Sequence, residues 1–386
     1  MLGTPDSVRL HIVLLGERNS GKSSLLNAVT GQNVAIVSDI PGTTTDHVSK
    51  AMEIMGLGPC VLVDTAGLDD CGELGVKRVE NSLDAVRTAD IVLLVVDAAT
   101  GRLPELPVSG VPVIPVVNKK EVLDRDALEA LCEAVRNEYG KAPVTVSALR
   151  RDGVKDLISA IQENIPEDWD APLLTAGVVE NGDLVVLVMP QDKQAPKGRL
   201  ILPQQQTIRE LLDRKCRIVC CTPDCLEETL ASLKEVPSAI IADSQALKVA
   251  ASLKDEKTLL TSFSILLAAS KGDIGYFKES VRKIDSLTSD SKVLIAEACT
   301  HVPASEDIGR VKIPRMLRSR AGEGLQVDVV SGRDFPKDLS GYDLVIHCGA
   351  CMFNRRYVLA RVSQAKEQGV PMTNYGVTIA YINNIL

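Results

Sequence analysis

The chain has 386 residues, a formal net charge of −8 and a hydrophobic share of 45%, of which few residues are aromatic. This length is enough for two or three domains, since single cores rarely grow beyond roughly 250–300 residues. The acidic balance argues against a general nucleic-acid binder, which needs a basic face. No basic-then-apolar leader opens the chain and no apolar stretch approaches the roughly 20 residues that span a bilayer, so we expect a cytoplasmic protein with no membrane partner. The ten cysteines are then expected to be thiols or metal ligands rather than a disulfide framework.

A phosphate-binding loop is predicted near the start of the chain. Residues 9–15 form an apolar, β-branched run, and Gly-Glu-Arg-Asn-Ser-Gly-Lys-Ser follows at 16–23, before a predicted helix that ends near residue 30. Strand, G-x-x-x-x-G-K-S and helix in this order are typical of a loop whose N–H groups surround a β-phosphate. Lys22 would supply a charge to the β- and γ-phosphate oxygens, and Ser23 a hydroxyl ligand to Mg²⁺.

Three later segments indicate which nucleotide is bound. A strand-like run ends in Asp-Thr-Ala-Gly at 64–67, the D-x-x-G pattern of a Mg²⁺-directed carboxylate and a γ-phosphate-sensing glycine. Asn-Lys-Lys-Glu at 118–121 and Ser-Ala at 147–148 also follow predicted strands. Together these segments resemble the translation-factor class of GTPases, in which N-K-x-D and S-A hold guanine. Glu121 stands where that class usually has aspartate, so the site must accommodate one more methylene.

Residues 41–46, Pro-Gly-Thr-Thr-Thr-Asp, look like a first switch in which Thr44 closes on Mg²⁺. With Asn19, this switch resembles the potassium-activated branch related to TrmE, where an asparagine and switch carbonyls hold K⁺ near the transferring phosphoryl group. Leu68 occupies the position of the water-orienting glutamine of Ras-like proteins, so slow hydrolysis is expected. The resemblance implies catalytic roles for Asn19, Lys22, Thr44, Asp64 and Gly67, and nucleotide contacts from Gly16, Asn19, Ser20, Gly21, Lys22, Ser23, Ser24, Thr43, Thr44, Asp64, Gly67, Asn118, Lys119, Glu121, Ser147 and Ala148.

The alternation of strands and helices predicts an α/β protein. We expect a P-loop GTPase domain with a doubly wound, mainly parallel sheet at 1–168, followed by two smaller α/β domains at 173–260 and 261–386. The second domain is a candidate dimerisation element, with strands predicted at 184–189, 200–202, 217–221 and 239–243. Its clustered cysteines are expected to serve packing, because neighbours on a strand point to opposite faces; they are Cys216, Cys220, Cys221 and Cys225.

Two predicted strands of the last domain end in soft metal ligands, namely Cys299 and His301 after the first, and His347, Cys348 and Cys351 after the second. Strand carboxyl ends converge in open α/β sheets, so the three thiolates can meet. Three cysteines suit a [4Fe–4S] cluster with one iron open or held by an exchangeable ligand. A histidine as fourth ligand would instead give a zinc site, and the absence of any metal also stays open. Glu297, Glu306 and Asp307 are candidates for an exchangeable carboxylate.

The pairing of C-x-H with a later H-C-x-x-C, behind a TrmE-like GTPase, resembles the HydF family of [FeFe]-hydrogenase maturation GTPases. The resemblance implies a [4Fe–4S] cluster on Cys299, Cys348 and Cys351, with His301 and His347 as ligands or beside it, and GTP or GDP, Mg²⁺ and K⁺ as further cofactors. It implies a homodimeric scaffold and carrier that receives a di-iron subcluster precursor from the radical-SAM maturases HydE and HydG and delivers it to apo-[FeFe]-hydrogenase, with no nucleic-acid partner. The alternative is a K⁺-dependent TrmE/Era-like GTPase with a C-terminal zinc site, acting on RNA or the ribosome.

Overall fold

The computed structural model describes residues 5–31, 48–69, 73–105, 110–167, 169, 172–190, 200–298, 307–332 and 334–386. The chain divides into two compact units, 1–170 and 171–386. Within the ranges given above, no helix has both the length and the apolar character needed to cross a membrane.

The first unit is built on a six-stranded sheet in the order β2-β3-β1-β4-β5-β6, in which only the β2–β3 pair is antiparallel. Apolar clusters cover both faces of the sheet, which is why the central strand β4 is buried throughout. The sheet and helices confirm the predicted P-loop GTPase fold. The elements are β1 (Leu10–Gly16), α1 (Lys22–Thr30), β2 (Val48–Ile54), β3 (Gly58–Asp64), α2 (Glu73–Arg87), β4 (Ile91–Asp97), β5 (Val113–Asn118), α3 (Arg125–Tyr139), β6 (Val144–Thr145) and α4 (Val154–Glu163).

The second unit begins with a four-stranded parallel sheet in the order β10-β9-β7-β8. The strand predicted at 200–202 is wrong: Ile201 precedes a helix that starts at Leu202. Pro203 fits the first helical turn, and the side chain of Gln204 accepts a hydrogen bond from the Ile201 N–H at 3.2 Å, so the apolar run starts a helix. The elements are β7 (Leu184–Val188), α5 (Leu202–Asp213), β8 (Arg217–Cys221), α6 (Leu226–Ser232), β9 (Ala239–Ala242), α7 (Leu247–Leu253), β10 (Leu259–Ser262) and α8 (Phe263–Lys271).

A second four-stranded parallel sheet of this unit has the order β12-β11-β13-β14. Helix α8 contributes to the cores of both sheets, because Phe263 and Leu266 pack with the first and Ala268 with the second. The further α/β domains predicted after the GTPase domain are thereby confirmed. The remaining elements are α9 (Ile274–Ser280), β11 (Lys292–Glu297), a π-helical turn (Ile308–Lys312), α10 (Ile313–Ala321), β12 (Gln326–Ser331), β13 (Leu344–His347), α11 (Arg355–Glu367), β14 (Met372–Asn374) and α12 (Tyr375–Ile382).

Candidate functional site

The phosphate loop joins β1 to α1 and depends on two glycines. A Cβ at Gly16 (φ +155°) would lie 2.4 Å from the carbonyl oxygen of Val95, and one at Gly21 (φ +87°) would lie 2.3 Å from Nδ2 of Asn118. Both positions combine a conformation that favours glycine with close contact to a neighbouring strand end. The loop therefore lies directly against the carboxyl ends of β4 and β5.

The groups expected to hold phosphate and Mg²⁺ are close together. The Lys22 ammonium is buried and donates to the carbonyl oxygens of Gly16 at 3.0 Å and Glu17 at 2.8 Å. The Ser23 hydroxyl donates to a carboxylate oxygen of Asp64 at 2.5 Å, so β3 and α1 present both predicted Mg²⁺ groups at one point. Gly67 lies beside the same loop, since a Cβ there would be 2.7 Å from the backbone nitrogen of Arg18.

Two further serines, one in the loop and one in α1, are predicted phosphate contacts. Ser20 is buried, and its hydroxyl has no hydrogen-bond partner within the part of the chain that the structure describes. Ser24 lies in the first turn of α1 and is half-buried. Thr43 and Thr44, predicted for the first switch, lie outside the described residues.

The predicted guanine segments meet at the ends of β5 and β6. The amide of Asn118 donates to the carbonyl oxygen of Ser20 at 3.0 Å and accepts from the Ala148 N–H at 3.1 Å, which ties the phosphate loop to the Ser-Ala segment. Ser147 is buried, and its hydroxyl accepts from the Arg150 N–H at 3.1 Å. Asn118 and Ala148, two of the predicted guanine-contact residues, are thus joined by a hydrogen bond.

Lys119 has a left-handed conformation (φ +62°) and donates to the carbonyl oxygen of Asn19 at 2.7 Å and to Asp97 at 2.7 Å. Asn19 itself is exposed and also has a positive φ. A carboxylate oxygen of Glu121 is buried with no hydrogen-bond partner among the described residues. The sequence analysis did not include Asp97. Its position could have predicted a place in the site, because it is an acidic residue at the carboxyl end of the apolar strand β4, next to β1.

In the last sheet all strands are parallel, but the order in which they are added reverses at β11. The chain adds β12 on one side of β11 and then β13 on the other side. In open α/β sheets this reversal marks the crevice where ligands bind. The strands are aligned so that Ala296 pairs with His347 and His347 with Asn374. The residues one step further, Glu297, Cys348 and Tyr375, therefore follow in a row along the carboxyl edge.

Cys348 occupies the centre of this edge. Its backbone N–H donates to the Ala296 carbonyl at 2.9 Å, and its sulfur accepts from the N–H groups of Ala298 at 3.0 Å and Ala350 at 3.4 Å. Ala350 has a left-handed φ of +47°, which turns its N–H back toward the sulfur. Two amide donors on one sulfur favour a thiolate, the form that binds metal. Cys351 is half-buried on the same loop.

A buried lysine holds this loop from the other side. Lys271, the last residue of α8, is 4% exposed and donates to the carbonyl oxygens of Ala350 at 2.9 Å, Cys351 at 3.3 Å and Phe353 at 2.7 Å. The loop therefore directs three carbonyl oxygens at the ammonium, while the Ala350 N–H donates to the Cys348 sulfur. Sequence reasoning gave no role to Lys271.

His347 is buried, and its ring nitrogens both make hydrogen bonds. Arg361 donates to Nε2 at 2.9 Å; because a guanidinium only donates, Nε2 is the acceptor. Nδ1 then carries the proton and donates to the carbonyl oxygen of Cys348 at 2.7 Å. Burial lowers the pKa of Arg361, whose guanidinium also lies 4.5 Å from the Phe335 ring centre. In this arrangement His347 orients the cysteine loop.

The acidic candidates differ in their surroundings. Glu297 is buried and accepts from Arg310 at 2.9 Å and from Ser331 at 3.2 Å through the same carboxylate oxygen. Asp307 caps the π-helical turn by accepting from the Arg310 N–H at 2.8 Å. The remaining predicted groups of this site, Cys299, His301 and Glu306, lie outside the described residues.

The cysteines of the first small sheet lie elsewhere in the unit. Cys216 is buried and contacts the Glu180 carbonyl oxygen at 3.3 Å. Cys220 and Cys221 are consecutive on β8, and partial desolvation of the sulfur atoms raises the pKa of both thiols. Cys225 is exposed. High thiol pKa values disfavour the thiolates that a metal needs.

Three family models match consecutive parts of the chain. The 50S ribosome-binding GTPase model matches residues 11–125, the hydrogen maturase F dimerization domain model 174–272, and the hydrogen maturase F tetramerization domain model 275–386. Together they put two hydrogen maturase F segments after a GTPase segment.

Curated relatives match part of the chain. The tRNA modification GTPase MnmE of Bacillus velezensis is 34% identical over 200 residues, which are 48% of this chain and 40% of that protein. MnmE of Nitratidesulfovibrio vulgaris strain DP4 is 40% identical over 157 residues, which are 39% of this chain and 33% of that protein. The chain thus spans less than half the length of these relatives.

Among solved structures, Aquifex aeolicus Era bound to GDP.AlF4⁻ has 20% identity and a TM-score of 0.38, covering 57% of this chain and 97% of that one. NFeoB from S. thermophilus bound to GDP.AlF4⁻ and K⁺ has 25% identity and a TM-score of 0.32, covering 40% of this chain and 62% of that one.

Since two hydrogen maturase F models follow a GTPase domain over the length of the molecule, the chain belongs to the HydF family.

Proposed function

We propose that this chain is a GTP-dependent scaffold of [FeFe]-hydrogenase maturation, carrying a [4Fe–4S] cluster and the di-iron subcluster precursor. The observation that carries the proposal is Cys348, whose sulfur accepts two amide N–H groups at the crevice of the last sheet. This donor set fits a metal-bound thiolate, and the segment that contains it matches a hydrogen maturase F model. Cys299 and Cys351 would complete the ligands, and the cluster would offer an iron to which cargo can attach.

His347 is proposed to support the cluster rather than to ligate it. Its Nε2 already accepts from Arg361, and its Nδ1–H holds the Cys348 carbonyl. Residues beside a metal site that fix its ligands are as much a part of the site as the ligands themselves. His301 keeps its predicted role as ligand or neighbour, and Glu297, Glu306 and Asp307 remain candidates for the exchangeable position.

The proposed nucleotide cycle uses the first domain. Lys22 would bind the β- and γ-phosphate oxygens, while Ser23 and Asp64, joined by a 2.5 Å hydrogen bond, would hold Mg²⁺, which neutralises phosphate charge. Thr44 and Gly67 would respond to the γ-phosphate, and Asn19 would help to hold K⁺. The buried, unpartnered oxygen of Glu121 among the described residues supports its role as acceptor for guanine N–H groups. We propose slow, K⁺-stimulated hydrolysis of GTP.

The partners follow from the same proposal. The dimerization and tetramerization models favour self-association of the segments that they match, 174–272 and 275–386. HydE and HydG would load the precursor, and apo-[FeFe]-hydrogenase would receive it. GTP can regulate this transfer only if it binds two conformations with different affinity. Equal partner affinities with GDP and with a non-hydrolysable GTP analogue would exclude such coupling.

The decisive experiment measures iron, acid-labile sulfide and the EPR spectrum of anaerobically reconstituted full-length protein. We compare wild type, Cys348→Ala and Cys220→Ala, the last being an exposed cysteine outside the proposed site. We expect about four iron and four sulfide per chain, as a [4Fe–4S] cluster requires, in the wild type and Cys220→Ala, and loss of both in Cys348→Ala. Full occupancy in Cys348→Ala would reject the assignment.

A second candidate function is an RNA- or ribosome-directed GTPase with a zinc site. It is favoured by the 50S ribosome-binding GTPase model over residues 11–125 and by the identity to MnmE. The GTPase model over residues 11–125 does not extend to the cysteines of the last sheet. Stoichiometric zinc without sulfide, together with RNA that co-purifies and is lost on nuclease treatment, would decide for this function.

A further inference from the structure

Tyr375 begins α12 and carries a buried hydroxyl that the mechanism above does not use. The side chain is 9% exposed, and its oxygen has no hydrogen-bond partner within the described ranges. A buried hydroxyl without a partner is unfavourable, because it loses its water and gains nothing in return. The hydroxyl therefore points to an acceptor that arrives with a ligand.

The position of this hydroxyl is fixed by the sheet and by one glycine. Tyr375 directly follows Asn374, the partner of His347 across β13 and β14, and so stands next to Cys348 on the carboxyl edge. A Cβ at Gly309 would lie 2.0 Å from the Tyr375 oxygen and 2.8 Å from a Glu297 oxygen. The π-helical turn thus approaches the hydroxyl at its glycine, where no side chain displaces it.

The charges around Tyr375 keep it protonated. Burial raises its pKa well above the ordinary value, and the negative charges of Cys348, Glu297 and Asp307 raise it further, while Arg310 opposes them. The carboxylate oxygen of Glu297 that accepts hydrogen bonds is already used by Arg310. Tyr375 is therefore a donor that faces a region of negative charge.

We propose that the Tyr375 hydroxyl donates a hydrogen bond to sulfur of the group bound at Cys348, either the thiolate or a cluster sulfide, and thereby sets its reduction potential. This inference rests on the cluster assigned under the proposed function. Hydrogen bonds to sulfur stabilise the more negative, reduced state and raise the potential. Tyr375 is a positioning and tuning residue, distinct from the ligands.

The test is an EPR-monitored redox titration of reconstituted full-length wild type, Tyr375→Phe and Tyr342→Phe. Tyr342 is the matched control, because its hydroxyl pairs with Asp328 at 3.1 Å, away from the cysteine edge. We expect the reduced form of Tyr375→Phe to be disfavoured about three- to tenfold, a midpoint shift of roughly 30–59 mV to lower potential at 59 mV per tenfold. Tyr342→Phe should titrate as wild type.

A second variant covers the case in which Tyr375→Phe does not fold. Replacing Tyr375 by 3-fluorotyrosine keeps the hydroxyl and strengthens it as a donor, so the midpoint should rise instead of falling. Midpoints equal to wild type in whichever of the two variants fold would overturn the inference while leaving the cluster assignment intact. A wild-type protein that binds no cluster would overturn the proposed function itself, and this inference with it.

Discussion

The lysine behind the cysteine loop offers the sharpest test of the site's architecture. Lys271 is 4% exposed and donates to three carbonyl oxygens of residues 350–353. Lys271→Met keeps most of the apolar stem and removes the ammonium. The carbonyls of the loop then lose their shared donor inside the protein, where water cannot replace it.

The expected size of the effect follows from these contacts. A hydrogen bond to a charged group contributes roughly 1.5–3 kcal/mol, so three would give about 4.5–9 kcal/mol at most. The variant also avoids burying a charge, which offsets part of this loss. We therefore expect the free energy of local opening of the loop to fall by about 2–4 kcal/mol, and exchange of its protected amides to speed up about 30- to 700-fold at 1.4 kcal/mol per tenfold.

Hydrogen exchange measured by mass spectrometry reads this change directly in the full-length protein. The reporting amides are Ala350, which donates to the Cys348 sulfur, and Phe353, which donates to the Ala350 carbonyl at 3.1 Å. Lys278→Met is the matched control, since Lys278 is an exposed lysine of α9. Loop exchange in Lys271→Met as slow as in Lys278→Met would refute the idea that the ammonium holds the loop.

Three further predictions concern other parts of the chain. Gly309→Ala places a methyl group 2.0 Å from the buried phenol oxygen of Tyr375. Urea unfolding should therefore show a free energy of unfolding lower by about 1–3 kcal/mol. Gly341→Ala, with nothing within 4 Å, should unfold like wild type, and equal urea midpoints for the two variants would contradict the predicted steric overlap at Gly309. The hydrogen bond from Lys366 holds the pKa of Asp273 below its usual value. The ionised Asp273 therefore stabilises the fold near neutral pH, and this stabilisation is lost as pH falls through the pKa of Asp273. Asp273→Asn should lower the free energy of thermal unfolding by under about 1 kcal/mol at pH 7 and leave it unchanged in acid below that pKa. An equal loss at both pH values would contradict this. Glu121→Ala should weaken GTP binding about tenfold or more by calorimetry, and an unchanged affinity would remove Glu121 from the guanine site.

The sequence was most informative where one short motif determines both backbone and chemistry. The spacing of Gly16, Gly21 and Lys22 predicted the strand, loop and helix that the structure has, because few other structures satisfy that pattern. The apolar run at 200–202 misled for the opposite reason. Its three residues fit a strand or the start of a helix equally, and a proline and a glutamine further on decide the outcome.

Short sequence motifs could not predict contacts between residues far apart in the chain. Nothing near Lys271 in the sequence indicates that its ammonium contacts backbone carbonyls some eighty positions later. Every residue has such a carbonyl, so the residue types at 350–353 do not reveal the acceptors. The Tyr375 hydroxyl is similar, since only the strand register and Gly309 place it at the cysteine edge. Asp97 was within reach, because it ends a buried strand beside the phosphate loop.

Helix α8 has a consequence for how this architecture can be recombined. The boundary between the two hydrogen maturase F segments falls at 272–275, directly after the helix. However, Phe263 and Leu266 complete one core, Ala268 joins the other, and Lys271 reaches into the cysteine loop. A gene fusion that replaced the C-terminal segment at this boundary would supply a cysteine loop without the Lys271 that belongs to it. The two modules are therefore expected to be inherited together, with the helix as the part that neither can lose.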